Sequence, residues 1–295
     1  MTSGDVGTES LSFAENSFRV LTEISRGTMS TVYYCEGGVA LKSMGEASNS
    51  EAVKIYQNDL KVLSELGKNP YIVRLHDTMD DAEITHATTG LSERVRNCQV
   101  LEALHGGELF YHIVRYGTFS KETARGFLRQ LVDGVACIHR SGYIHRDLKP
   151  WNIILSNDHS QAKIIDFGLA TPIEPRCRRS PWTRYLDGTR QYMAPENIVR
   201  PASDSTVPDL SEVDLTKVDT FALGVILINM LTGGFFFESC LSPEFTKLMT
   251  DFKYLCGQLR ARAAPMPEEE LVDLARLLTA MLHPDSDQRM SIAAL

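Results

Sequence analysis

The hydrophobic positions change period along the chain. Short β-rich runs come first: Phe18 to Ile24, Thr31 to Cys35, and Val39 to Lys42, the last two separated by Gly37-Gly38. They read as strands joined by turns. Residues 50–66 switch to helical spacing, with Val53, Tyr56, Leu60, Leu63 and Leu66 recurring every three or four positions. Residues 77–97 are polar and read as an elaborated loop, and Gln99 to Leu104 reads as a buried strand. Residues 1–17, mostly small and polar, read as a mobile tail.

Ser120 to Arg140 carries the signature of an amphipathic helix. Ser120 stands at the cap, Glu122 in the first turn, and Phe127, Leu131, Val135 and Ile138 form an apolar stripe ending before Gly142. Phe221 to Phe237 is the most apolar stretch, short for a bilayer span and equally suited to a buried core helix. Pro201 to Pro208 is rich in Pro and Ser and reads as a surface loop.

Composition narrows the class. With 295 residues, 43% hydrophobic and 23% charged, the chain can bury a sizeable core in one large domain or two lobes. A net charge of −8 argues against a nucleic-acid surface built on bulk basicity. Six cysteines lie scattered without C-x-x-C spacing. With no signal peptide apparent, they read as a reduced intracellular protein, cytoplasmic before nuclear, without zinc site or disulfide framework.

The candidate chemistry sits in His145-Arg-Asp-Leu-Lys-Pro-Trp-Asn152, followed 19 positions after Asp147 by Asp166-Phe167-Gly168. Phosphoryl transfer needs positioning and charge neutralisation more than covalent chemistry. Asp147 is a carboxylate able to orient a hydroxyl and accept its proton. Lys149 puts a cation beside the transferred group, and Asn152 and Asp166 are oxygen ligands suited to magnesium. His139 and His145 hint at a metal pair, but no acidic or Cys partners accompany them.

These motifs resemble the eukaryotic-type protein kinase domain, of Ser/Thr type and nearest in flavour to the calcium/calmodulin-dependent group; the likeness runs from about Phe18 to the end. The resemblance implies an α+β bilobal fold: a small β-rich N-lobe over 18–101 with one main helix, a hinge over 102–105 and a mostly α-helical C-lobe over 106–295. It makes Phe221 to Phe237 a core helix and His145 a packing residue. It implies ATP and magnesium as cofactors and protein substrates as partners, with no nucleic acid and no membrane span. Asp147, Lys149 and Asn152 become the catalytic set, with Asn152 and Asp166 on the metal.

By the same resemblance, Ile24, Gly27, Val32, Ala40, Lys42, Asp59, Glu102, Leu104, Glu108, Ile154 and Asp166 bind the nucleotide. Lys42 holds the α- and β-phosphates, and Leu101 guards the adenine pocket. Asp59 falls where the family has a helix glutamate paired with that lysine, one methylene short; the alternative is a solvated surface acid. Glu108 contacts ribose or a substrate arginine, or is a first-turn acid favoured by the helix dipole. Asp219 hydrogen-bonds the catalytic-loop backbone, and Arg289 pairs with Glu196. Arg146 and Thr183 are regulatory, Thr183 as the phosphorylation site of an upstream activating kinase.

The segment between Gly168 and Ala194 carries Arg176, Arg178, Arg179 and Arg184, with hydroxyls at Ser180, Thr183, Tyr185 and Thr189. Gly188-Thr189 through Ala194-Pro195-Glu196 resembles a polypeptide-binding floor, which disfavours a small-molecule kinase. Ser25 and Ser30 replace the first and third loop glycines of the family, and with the shortened acid Asp59 they sustain an alternative, a pseudokinase or nucleotide-binding signalling scaffold. Trp151 stands where Arg-directed kinases carry Glu, which argues against a preference for a basic peptide despite Glu108. The chain stops within the last expected helix, which leaves room for a longer natural protein.

Overall fold

The computed structural model describes residues 16–27, 30–45, 50–173, 190–198 and 213–295. The chain divides into two compact units: residues up to Gln57 with Arg74–Ala103, and Asn58–Val73 with Leu104–Leu295.

Five strands form the first unit: β1 (Ser17–Arg26), β2 (Ser30–Cys35), β3 (Val39–Met44), β4 (Leu75–His86) and β5 (Ser92–Glu102). They close into a barrel in the order β1-β2-β3-β5-β4. Gly37 and Gly38 turn β2 into β3 at φ of +85° and +74°, where a side chain would be strained. The inward residues alternate along the strands, as the pleat requires: Phe18 and Val20, Tyr33 and Cys35, Val39 and Leu41, Ala82 and Ile84, Cys98 and Val100.

The polar stretch 77–97 is not a loop. It forms most of a long antiparallel hairpin, paired from Leu75↔Leu101 to Thr85↔Ser92. In its first strand, Ala82 and Ile84 point inward between the more exposed Asp81, Glu83 and Thr85. Two inward residues amid charges give a weak period-two signal. This hairpin closes the barrel, because Ser17–Val20 of β1 pair in parallel with Glu83–His86.

The second unit is mostly helical. Helix α1 (Ser50–Leu66) enters it from Asn58, so the contiguous N-lobe of 18–101 is interrupted. The cause is pairing: Val73 N donates to Ile164 O at 3.0 Å and Ile164 N to Tyr71 O at 2.9 Å. The buried face of α1 carries Ala52, Tyr56, Asp59, Val62, Leu63 and Leu66. Val53 and Leu60 of the expected stripe are only half-buried.

Helices α2 (Leu109–Tyr116) and α3 (Lys121–Arg140) follow. Ser120 caps α3 by accepting from Thr123 N at 3.1 Å, and Phe127, Leu131, Val135 and Ile138 are buried as their spacing predicts. Short pairs join β6 (Tyr143–Ile144) to β9 (Thr171–Pro172) and β7 (Ile153–Leu155) to β8 (Ala162–Ile164). Helix α4 (Lys217–Thr232) is buried at every position from Val218 to Leu231, so the apolar stretch is a core helix. Among the described residues no helix is long and apolar enough to cross a membrane. Gly224 lets α4 approach its neighbour, since a Cβ there would sit 2.9 Å from Leu282 Cδ2. Helices α5 (Pro243–Thr250), α6 (Phe252–Arg262) and α7 (Glu268–Met281) complete the unit.

Past α7, Arg289 is buried and forks onto Glu196 at 2.5 and 3.0 Å. Its remaining donors reach His283 O at 2.8 Å, Lys217 O at 3.1 Å and Pro284 O at 3.4 Å. The guanidinium therefore ties the Ala194-Pro195-Glu196 turn, the start of α4 and the C-terminal segment together. Arg289→Leu strands the Glu196 carboxylate and is expected to cost about 3–5 kcal/mol in urea denaturation. The double variant with Glu196→Leu should recover part of that loss. A single-variant cost within error of zero would remove the pair from the account of stability.

Candidate functional site

The site begins where α3 ends. Gly142, at φ +85°, turns the chain into β6, which delivers His145 to the interior. Asp219, near the start of α4, meets it there. Its Oδ2 accepts from His145 N at 3.0 Å and His139 Nε2 at 2.8 Å, and its Oδ1 from Arg146 N at 2.9 Å. Burial drives this carboxyl up, but the His139 bond, the His139 and His145 charges and the Arg146 N–H outweigh it and hold it below its ordinary value. Asp219 thus makes the backbone contact expected of it. His139 is its hydrogen-bond partner, and no metal-holding cluster of His, Cys, Asp or Glu exists among the described residues.

Arg146 adopts φ +69°, a left-handed conformation that costs a non-glycine residue about 1–2 kcal/mol. The Asp219 bonds hold it there. The twist carries the chain to Asp147, whose Oδ2 accepts from Lys149 Nζ at 2.7 Å and Asn152 Nδ2 at 2.9 Å. Asn152 Nδ2 also donates to Asp147 O at 2.8 Å, which orients its amide oxygen away from this pair.

Ile165 laces this loop to the Asp166 turn. Its N–H donates to Asn152 O at 3.0 Å, and its carbonyl faces His145 Nε2 at 3.2 Å. Asp147, Lys149 and Asn152 therefore share one hydrogen-bonded cluster, and Asp166 follows directly on the residue bonded to that loop. Asp166 is itself left-handed, at φ +64°. The Asn152 amide oxygen and the Asp166 carboxylate are hard oxygen donors, a set that fits magnesium.

Asp59 is not a surface acid. It is 2% exposed, and its Oδ1 accepts from Phe167 N at 2.7 Å. Glu108 occupies the cap position of α2 without a side-chain capping bond. Its Oε2 is buried with no hydrogen-bond partner among the described residues, and burial raises the carboxyl above its ordinary value. Its backbone bridges that of Ile154, and Leu104 is buried in the same unit. Trp151 stacks on Phe110, with centroids 3.8 Å apart.

The other nucleotide-binding candidates lie in the barrel unit. Val32 pairs directly with Lys42, and Ala40 with Leu101. Lys42 is half-buried, and Tyr56 donates to its carbonyl at 3.0 Å. Glu102 lies at the end of β5, Gly27 N donates to Ser30 O at 2.9 Å, and Ile24 is exposed on β1. Thr183, the arginines 176, 178, 179 and 184, Gly188-Thr189 and the 201–208 insertion lie outside the described residues.

One residue of consequence gave no sequence signal. Asn58 Nδ2 faces the carbonyls of Phe167, Gly168 and Ala170 at 3.1, 3.0 and 2.9 Å. A helical Asn before an acid is ordinary in composition, and its partners lie more than a hundred positions away.

Comparison with known proteins bears on this geometry. Residues 18–295 match the family model described as protein kinase domain. The CBL-interacting serine/threonine-protein kinase 18 of Arabidopsis thaliana is 28% identical over 91% of this chain and 46% of its own length. Calcium-dependent protein kinase 7 of the same plant is 28% identical over 92% and 46%. The serine/threonine-protein kinase pkn2 of Myxococcus xanthus is 29% identical over 92% and 30%. The chain thus spans less than half the length of these relatives.

The buried Asp219 gives a test of the loop's support. Asp219→Asn sets an amide against backbone donors and is expected to cost about 1.5–3 kcal/mol in urea at neutral pH. Because the native carboxyl lies below its ordinary value of 3.8, its contribution is present above that pH. It is lost as pH falls through the lower native value. The gap between wild type and variant should narrow only there. A gap independent of pH would show that the carboxylate charge contributes nothing.

Proposed function

Because this chain belongs to the protein kinase domain family, we propose that it is an ATP-dependent serine/threonine kinase that phosphorylates protein substrates. The observation that carries the reading is the Asp147 carboxylate held between Lys149 and Asn152, with Asp166 tied to the same loop through Ile165. In this reading the acceptor hydroxyl attacks the γ-phosphorus and gives its proton to Asp147. The bond to the β,γ-bridging oxygen breaks, and ADP leaves with the electron pair. Lys149 neutralises charge on the transferring group. Asn152 and Asp166 would hold the magnesium, which supplies charge neutralisation on the phosphates. Lys42 anchors the α- and β-phosphates, and Asp59 is assigned as its helix partner.

Arg146 supports control by phosphorylation. Burial lowers its pKa against the opposing charge of Asp219, so the cation is poorly solvated and suits an added anionic partner. The proposed partner is Thr183 phosphorylated by an upstream kinase, which would add roughly −1.5 to −2 charges and three acceptor oxygens. The second reading, a nucleotide-binding scaffold, is favoured by Ser25 and Ser30 in the loop before Lys42. Retention of Lys42, Asp147, Asn152 and Asp166 opposes it, since a scaffold has no chemical need of all four.

Two experiments decide. Transfer of γ-phosphate to a degenerate peptide library should be measurable for wild type and fall by about 10²–10⁴ in Asp147→Asn. It should fall likewise in Lys42→Met and Asp166→Asn, while Asp59→Glu holds activity and Asp59→Ala lowers it. Equal transfer by wild type and the first three variants would sink the assignment. Nucleotide binding without transfer in wild type would establish the scaffold instead. For control, Thr183→Ala and phosphatase treatment are each expected to lower turnover, and Arg146→Ala to abolish the response to phosphatase. Dephosphorylated protein as fast as the phosphorylated form would remove phosphorylation from the account and leave the kinase reading standing.

A further inference from the structure

Asp166 holds a conformation that L-residues avoid, and the strain persists only if the surroundings over-determine it. Gly168 N reaches Asp166 Oδ1 at 3.3 Å, and Ala170 N donates to Phe167 O at 3.0 Å. Phe167 is fully buried, with its ring 5.1 Å from that of His145. The backbone around it must therefore find its hydrogen bonds inside the protein.

Two adjacent residues of α1 provide them. Asp59 Oδ1 accepts the N–H of Phe167, while the Asn58 amide faces the carbonyls of Phe167, Gly168 and Ala170. One side chain reads the turn's donor and the other its acceptors. An amide nitrogen carries two hydrogens, so one is shared among the three oxygens. No other small helical side chain does this as well. Ala offers no donor, and Asp would set oxygens against oxygens. Ser offers a single hydrogen for three acceptors.

We propose that Asn58 is a positioning residue for Asp166, clamping the Asp166-Phe167-Gly168 turn from α1 so that the Asp166 carboxylate is set in advance for a divalent cation. The clamp itself rests on the observed bonds. Only the identity of the cation, magnesium with nucleotide, rests on the kinase reading. Asn58 touches neither nucleotide nor acceptor in this account and acts through the backbone alone.

Two measurements on Asn58→Ala and Asn58→Asp test it. Hydrogen exchange of the backbone over residues 165–171, followed without nucleotide or metal, should quicken by about tenfold in Asn58→Ala, the loss of one or two net hydrogen bonds. It should quicken further in Asn58→Asp, while exchange in α3 and α4 stays as in wild type. Magnesium titration of binding to a fluorescent ATP analogue should show a matching rise in the metal concentration at half-saturation, with the metal-free affinity unchanged. Ala is a good helix former, so Asn58→Ala keeps the helix. Unchanged exchange over 165–171 overturns the clamp, whatever the protein's activity. Faster exchange with an unchanged magnesium titration overturns the positioning role. A wild type whose nucleotide binding ignores magnesium overturns the kinase reading and this metal role with it, and the exchange result still judges the clamp separately.

Discussion

The buried carboxylate of Asp219 is the constraint on which the catalytic loop depends. It lies in a helix without an exposed residue between Val218 and Leu231, where an ionised group is costly unless every lone pair is used. Three donors use them: the His139 ring and the N–H groups of His145 and Arg146. Those two N–H groups belong to the left-handed corner that aims Asp147. The loop is thus held from beneath by α4, an element with no part in the chemistry. Core helix and active loop are one mechanical unit, because two of the three donors to that buried anion are backbone N–H groups of the loop.

The same logic recurs at the second strained residue. Arg146 and Asp166 both hold positive φ, and each is supported by side chains from a distant helix. Asp219 of α4 supports the first, and the region of Asn58 and Asp59 in α1 supports the second. Ile165, next in the chain to Asp166, bonds to Asn152 and His145 and so joins the second corner to the loop of the first. Strain at a functional site persists only when it is over-determined in this way.

The barrel unit solves a different problem. Its outer strands are rich in polar residues, and an open sheet of five has two edges to protect. The long hairpin of β4 and β5 removes them, its far end pairing in parallel with the start of β1. Charged residues on the hairpin face outward, and Ala82 and Ile84 complete the interior. The surface charge of this segment is the outer face of a closed sheet.

Much of this was legible in the linear chain, for a definable reason. The spacing of Asp147, Asn152 and Asp166, the capped stripe of α3 and the apolar run of α4 are local patterns, and local patterns survive in sequence. The partner of Glu196 was legible too, because the closing motif carries its arginine. Pairings between remote segments with weak or ambiguous periodicity were not. The hairpin was hidden because only two residues of β4 are fully buried, among charges. The burial of Asp59 was hidden because α1 turns its Ala52–Tyr56–Asp59 face inward, where Val53 and Leu60 were the more apolar choice. The contacts of Asn58 were invisible because their partners lie 109 to 112 residues away and are backbone carbonyls, which carry no residue identity. The sequence by itself determined which chemical groups are present and in what order. Only tertiary structure decided which buried polar groups satisfy one another, because that choice depends on which backbone atoms the packing brings within hydrogen-bonding distance.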